Sequence, residues 1–408
     1  MSNYFLMHKD DICGSLILDD DDGKILAYKD NGSGKSPFLG KCDNRLIKKW
    51  WESRAVPGSR KLIREAIKKS NCLNTESYLA KNLALSMTDS YWIRPIDTDI
   101  KYDNIKLSGL LKYDISQIPF HNETSYDPNA SLGGQMEKYW DLNHTTPLLI
   151  KESYKYFGQQ SINEMVSSNI HCMQDVQLPF VIYTLNKTND NGVISICQAF
   201  TNDNVELISA YEVIESVKLQ NNLSLYDNYI KACVSLGIEE TTIQNFMDYQ
   251  TLTDFVISNT DEHLMNFGIL RDANSMEIIG PAPIYDSGNS MFYSEGNKIY
   301  NRVELLERKI TGFYESEENV LTNVKNKNIV NIDLLPSTNN IIESYIKYGV
   351  PEEKALTIGK NYETKIEMLH DFQRGIKISL YSEKQKNKNH SIETNETLSR
   401  ITLRHKSK

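Results

Sequence analysis

The spacing of apolar positions changes period several times along the chain, and each change predicts an element. At the start, ICGSLILDDDDGKILAYKD alternates apolar with other residues on both sides of an acidic, glycine-containing corner, the pattern of a β-hairpin. Residues 46–69, LIKKWWESRAVPGSRKLIREAIKK, switch to helical spacing broken at Pro57 and Gly58. The following NTESYLAKNLALSMTDSYWIRP offers Asn74 or Thr75 as the cap of another helix. Residues 121–131 are polar with few apolar anchors and read as a linker.

Two strand-like runs, KYWDLN and TPLLIKES, then flank a turn at Asn143–Thr146, and a helix is expected from about Ser161 to Gln174. FVIYTLN and VISICQAF compose a further hairpin with its corner at Thr188–Gly192. From Tyr226 onward most segments read helical, including 241–258. FGILRDANSMEIIGPAPIYDSG is the exception, a strand, a turn at Asp272–Ser275 and a return strand ending at Asp286. The expected fold class is α+β: an N-terminal α+β lobe over 1–120, a strand-rich part over 121–205 and a mostly helical lobe over 206–381. The polar tail, 382–408, has little to bury and is expected to be disordered.

Composition narrows the function classes. A formal net charge of -9 over 408 residues argues against coating nucleic acid by overall charge, since phosphate contacts draw on Lys and Arg. The six cysteines are at least 25 residues apart with no C-x-x-C pair, so reduced thiols are expected instead of a zinc knuckle or disulfide scaffold. With no basic-then-apolar leader and no run of 18 apolar residues, a soluble cytoplasmic protein without membrane contact is expected. Two tempting motifs fail on spacing. Aligning Gly23 with the glycine of an EF-hand loop puts Leu18 at the first ligand, and Lys29 stands where a Walker A loop needs its first glycine.

Chemistry concentrates in FVISNTDEHLMNFGIL, where an apolar run admits Asn259, Asp261, Glu262, His263 and Asn266. Asp261 and Asn266 have the D-x-x-x-x-N spacing of phosphotransferase catalytic loops, in which the carboxylate takes the proton of the attacking hydroxyl and the carboxamide holds a metal. A polar loop capping the 241–258 helix accounts for the same residues. The hairpin that follows adds weight to the first reading. Asn266 enters it and Asp286 leaves it, so their oxygens can meet on one hard divalent cation.

NTDEHLMNFGIL followed by PAPIYDSG resembles the HipA-like serine/threonine kinases. SLGGQMEK at 131–138 looks like that family's serine-containing glycine loop, departing from it at Gln135, and LLIKES places Lys151 where the family keeps its ATP lysine. NEMVSSNI looks like the helix that supplies a carboxylate partner, Glu164. WWESRAVPGSR and LSMTDSYWIRP resemble the N-terminal lobe of clostridial-type members, and the resemblance runs over roughly 5–380.

The resemblance implies a bilobal protein-kinase-like fold using ATP and Mg²⁺. Asp261 and Lys151 would be catalytic, and Asn266 and Asp286 would hold the metal. Gly133, Gly134, Lys151 and Glu164 would serve the nucleotide, joined by the backbone of Gln198 and Phe200 at a hinge; an ordinary edge strand is the plain alternative for the last two. Ser131 would be an autophosphorylation site, where added charge would repel a nearby nucleotide phosphate. His263 is expected to orient the loop. The implied function is a toxin or growth regulator that phosphorylates Ser or Thr of a translation-related protein and of itself. A DNA-binding antitoxin is the implied partner, and without a helix-turn-helix in this chain no direct nucleic-acid contact is expected. A nucleotide-binding pseudokinase and a small-molecule or lipid kinase are the alternatives.

Overall fold

The computed structural model describes residues 1–112, 126–134, 136–188 and 192–386. Residues 121–125 of the expected linker, Gln135 and most of the 188–192 corner therefore lie outside the described residues. The result is mixed α/β, with three antiparallel sheets among the described residues.

The first sheet has the order β3-β2-β1-β4, from β1 (Ser2–His8), β2 (Asp11–Leu18), β3 (Ile25–Asp30) and β4 (Tyr91–Pro95). α1 (Asn44–Arg54) and α3 (Thr75–Lys81) contribute to its core, and α2 (Lys61–Lys69) packs beside α3. Asp43 caps α1 by accepting from the N–H of Leu46, and the expected break at Pro57 and Gly58 separates α1 from α2. Asn74, rather than Thr75, caps α3, in a reciprocal pair with Ser77. β4 was hidden inside a stretch that starts as helix. Leu83 and Ala84 take left-handed backbone angles, ending the helix, and the Ile93 N–H then bonds to the Leu83 carbonyl as the chain joins β1.

The second sheet, order β5-β6-β8-β7, is built from β5 (Glu137–Asp141), β6 (Leu148–Ser153), β7 (Thr184–Lys187) and β8 (Val193–Gln198), with α4 (Gln159–Met173) packed on it. The expected strand FVIYTLN divides. Its second half is β7, whereas Phe180 bridges in parallel to Ile284: the Val181 N–H donates to the Ile284 carbonyl and the Ile284 N–H to the Pro179 carbonyl.

The third sheet, β11-β10-β9, contains β9 (Val205–Ser209), β10 (Gly268–Asp272) and β11 (Ile278–Pro281). The return arm of the β10–β11 hairpin stops at Pro281 instead of running to Asp286, because Ile284 has left for Phe180. Around this sheet pack α5 (Ala210–Glu215), α6 (Leu225–Ser235), α7 (Glu240–Ile257), α8 (Arg302–Leu306), α9 (Thr338–Lys347) and α10 (Glu352–Gln373). Tyr229, Leu252, Val256, Ile358, Met368 and Leu369 form the center of their shared core. Between Ser287 and Ser337 the chain is mostly turns, with α8 the longest α-helical piece, so the helical expectation fails there. Residues 380–386 are helical and Glu383 is buried against Arg302, so the expected disorder does not hold over 382–386; 387–408 lie outside the described residues. No described helix is long and apolar enough to cross a membrane, and all six cysteines are free.

A buried polar knot joins the first and third sheets. Glu206 on β9 accepts from His8 Nε2 at 2.8 Å, from the Ser90 N–H at 2.8 Å and from Arg271 Nη2 at 2.7 Å, and Arg271 also reaches the Tyr91 hydroxyl at 3.1 Å. Burial resists ionisation of Glu206, but the His8 hydrogen bond and the Arg271 guanidinium overcome it and bring the carboxyl down to about 2. A carboxyl held below its unfolded value stabilises the fold above that value. This contribution is therefore complete above pH 4.5 and lost as pH falls towards about 2. Glu206→Gln leaves the buried Arg271 unpaired and is expected to lower unfolding stability at pH 7 by about 3 kcal/mol, with the gap to wild type closing below pH 4, read by denaturant titration across pH.

Candidate active site

Lys151 lies on β6 with its side chain 2% exposed. Nζ donates to Glu164 Oε1 and Asp286 Oδ1, both at 2.5 Å, and sits over the ring of Tyr183. One ammonium thus collects a carboxylate from α4 and another from beyond the β10–β11 hairpin. Burial works against the charge on Lys151, but Asp286 and Glu164 outweigh it and hold the ammonium well above its usual range. Burial likewise opposes the Asp286 carboxylate, and Lys151 and Lys138 hold it far below. Glu164 is pushed up by burial to about 7, with Lys151 opposing and Asp286 reinforcing the rise.

Helix α4 does more than supply Glu164. Its buried face is polar, and it grips the backbone after Asp286. Gln159 donates to the Met291 carbonyl, Asn163 to the carbonyls of Gly288 and Ser290, and Gln160 to Asn289 Oδ1, while Glu164 Oε2 accepts from the Ser287 N–H. Asp286 itself is left-handed, φ 63°, a conformation that turns the chain sharply as it leaves for that segment.

The same segment reaches Asp261. Asn289 Nδ2 donates to Asp261 Oδ2 at 2.5 Å, and the Asn289 carbonyl accepts from the N–H and hydroxyl of Thr260. Asn266 Nδ2 donates to the Asp261 carbonyl at 2.7 Å, which commits the amide nitrogen to the loop; among the described residues no hydrogen bond is made to its Oδ1. Asp261, Asn266 and Asp286 are therefore tied into one hydrogen-bonded assembly with Lys151 and Glu164. His263 accepts from the Met265 N–H and lies 4.0 Å from Asp261, a loop-forming role as expected. Beneath the loop, Asn259 bridges a second pair of acids, Asp254 and Glu262, at 3.1 and 2.7 Å. Burial raises Asp254 to about 7, and burial together with Asp254 raises Glu262, so this pair retains a proton at neutral pH.

The glycine loop precedes β5. Gly134 has φ +88°, and a Cβ there would stand 2.7 Å from Lys138 Nζ. Gly133 has open space around it. Ser131 Oγ donates to the Leu85 carbonyl at 2.8 Å, on the first sheet's side of the loop. Phe200 packs on Tyr285 beside Asp286, with ring centers 5.3 Å apart and planes tilted by 37°. Ala199 N–H is paired with the Pro147 carbonyl, and the antiparallel alternation turns the peptide groups of Gln198 away from β6.

Lys138, Tyr183 and Asn289 escaped sequence reasoning. Lys138 is directly opposite Lys151 across the β5–β6 pair and 8% exposed, and it makes no ion pair among the described residues. Burial, helped by Lys151 and Arg60, lowers its ammonium to about 8. Reflecting Lys151 through the Asn143–Thr146 turn would have found it. For Tyr183 and Asn289 no local signal exists, since each is defined by a partner over 25 residues away in sequence.

No family model matches the chain. It is similar to the serine/threonine-protein kinase CtkA of Helicobacter pylori, 28% identical over 165 residues, which are 38% of this chain and 50% of that protein. The chain thus spans half the length of the curated relative it matches. Among solved structures it is similar to the proinflammatory kinase CtkA of Helicobacter pylori, with TM-score 0.44, 16% identity, and coverage of 60% of this chain and 93% of that one. It is also similar to Shewanella oneidensis MR-1 HipA in complex with HipB and operator DNA, with TM-score 0.45, 11% identity, and coverage of 94% and 97%.

Replacing Lys151 by Met would strand Glu164 and Asp286 against each other. The expected cost is about 3 kcal/mol at pH 8, the low end for a broken buried pair because Asp286 is 30% exposed. Lys151 holds Glu164 down to about 7, so its loss raises that carboxyl further. The variant takes up the proton at higher pH, and the deficit is expected to shrink as pH falls towards about 7, being smaller at pH 6 than at pH 8 by urea unfolding.

Proposed function

We propose that the chain is an ATP- and magnesium-dependent serine/threonine protein kinase of the HipA-like type, with a bilobal kinase-like core preceded by an N-terminal lobe. The observation that carries this reading is the single assembly in which Lys151, Glu164 and Asp286 connect through Asn289 to Asp261 and Asn266. The similarity to a curated serine/threonine kinase supports it.

The residues present suit the implied groups. Asn266, its nitrogen committed to the loop, offers an oxygen, and Asp286 offers a carboxylate held ionised. Hard oxygen donors of this kind fit magnesium, which when bound would offset charge on the transferring phosphoryl. Lys151 and Lys138 face the same side of the β5–β6 pair, and Lys138, though within the field of Asp286, makes no ion pair among the described residues, which suits it to a phosphate. Gly133 and Gly134 leave room for backbone N–H groups to approach phosphate oxygens. Asp261, oriented by Asn289, would accept the proton of the incoming hydroxyl. The backbone of Gln198, turned away from β6, and of Phe200 would meet the base. Ser131 is the proposed autophosphorylation site, and modification would break its bond to Leu85. A translation-related protein substrate, a toxin or growth-regulating role, a DNA-binding antitoxin partner and a cytoplasmic location belong to the same proposal and rest on the sequence resemblance.

Incubation with γ-labelled ATP and Mg²⁺, alone and with cell extract, is expected to label the protein itself or a protein substrate, and Asp261→Ala and Asp286→Ala are each expected to reduce transfer at least ~100-fold. Binding of ATP without transfer would point to a pseudokinase, and label in a metabolite or lipid to a small-molecule kinase.

The pH profile tests Lys138. Its ammonium is charged below about 8 and neutral above. Consequently kcat/KM for ATP, which reports the free enzyme, is expected to fall above that pH while kcat holds. Lys138→Arg, whose guanidinium stays charged, is expected to remove the alkaline fall.

A further inference from the structure

Arg60 stands at the start of α2, in the N-terminal lobe, and is 1% exposed. A buried guanidinium ordinarily has a carboxylate beside it. This one makes no salt bridge among the described residues, and its Nε has no hydrogen-bond partner. Its two terminal nitrogens instead donate to the carbonyls of Leu132 and Lys138. Those residues are the two shoulders of the glycine loop, so one planar group from another lobe fixes the loop's width.

Neighbouring contacts reinforce the same seam. The Lys61 N–H donates to the Glu137 carboxylate, Ser131 Oγ to the Leu85 carbonyl, and the Tyr78 hydroxyl to Asp127 Oδ2. As fold glue Arg60 is costly, because a buried cation with an unsatisfied N–H could be replaced by an apolar side chain of similar volume. As a loop clamp it has a reason to be charged. It fixes the backbone at Lys138, whose Nζ lies under Gly134, and adds positive charge behind the loop.

We propose that Arg60 is a positioning residue through which the N-terminal lobe sets the nucleotide affinity of the site: by joining the shoulders of the 132–138 loop it keeps the loop and Lys138 in place for a triphosphate. This rests on the reading of the site as an ATP site. Nucleotide binding and docking of the N-terminal lobe are then thermodynamically linked, each strengthening the other.

The test is calorimetric binding of ATP with Mg²⁺ to the full chain, wild type against Arg60→Met and Arg60→Lys, with KM and kcat measured alongside. Arg60→Met is expected to weaken ATP binding and raise KM for ATP by about tenfold while kcat stays within about twofold, with the melting temperature of the nucleotide-free protein unchanged or higher. Arg60→Lys, which keeps the charge and reaches one carbonyl, is expected to lie between the two. ATP affinity equal to wild type in Arg60→Met would overturn the proposal, as would equal loss of kcat and affinity accompanied by a lower melting temperature. If Arg60→Met does not fold, wild-type affinity in Arg60→Lys overturns it instead. Because calorimetry needs no turnover, wild type that binds ATP without transfer refutes the kinase reading and leaves the clamp to be judged on binding. Wild type that does not bind ATP refutes both.

Discussion

The site is organised by a competition for one ammonium. Lys151 is buried, so its charge must be met inside the protein, and the two carboxylates that meet it come from elements far apart in the chain. Satisfying both at once draws α4 against the second sheet and pulls the segment after β11 into the gap between sheet and helical lobe. The polar face of α4 then holds that segment by its backbone, residue after residue from Ser287 to Met291. Asn289 is placed as a result, and with it Asp261. Removing the ammonium would take away the reason for each of these contacts in turn.

What could be read from the sequence follows from how local the cause is. The Asp261–Asn266 loop, the β5–β6 and β10–β11 hairpins and the boundaries of α1, α2, α4 and α7 are written in spacing, turn residues and caps that lie within one window. Elements whose existence depends on a distant partner were illegible. β4 forms because β1 offers an edge, and β9 because β10 does. Phe180 leaves its expected strand because Ile284 is available to it. The 287–337 region was misread because its apolar residues serve a core made by α7 and α10, and burial alone carries no period. In the candidate site, residue types joined by a motif were found, whereas Lys138 required reflecting one strand onto another and Asn289 required knowing where α4 would lie.

Two of the contacts that bind the N-terminal lobe to the remainder differ in chemistry. The Glu206 knot is compensated in charge, with the Arg271 guanidinium and the His8 ring set directly on the Glu206 carboxylate. The seam at Arg60 is incomplete, with a cation hydrogen-bonded to carbonyl oxygens, attracted by Glu137 and Asp127 without an ion pair among the described residues, and with its Nε unpartnered. A compensated knot holds two bodies together whatever else is bound. An incomplete one has something left to gain from a nearby anion, which is why the second contact and not the first is where lobe arrangement and nucleotide could communicate.

Asp261 and Glu262 are adjacent acids that look interchangeable in the sequence, yet the protein treats them as different chemical species. Burial and the neighbouring Asp254 push the Glu262 carboxyl up, and its two oxygens accept from Asn259 Nδ2 and Gln250 Nε2. Glutamine at 262 would therefore turn its own amide nitrogen onto one of those two donors. At 261 the equivalent exchange to asparagine would delete the negative charge on which the proposed proton transfer depends. Two neighbouring positions with the same formal chemistry thus resist the same kind of substitution for different reasons, one through donor geometry and the other through lost charge.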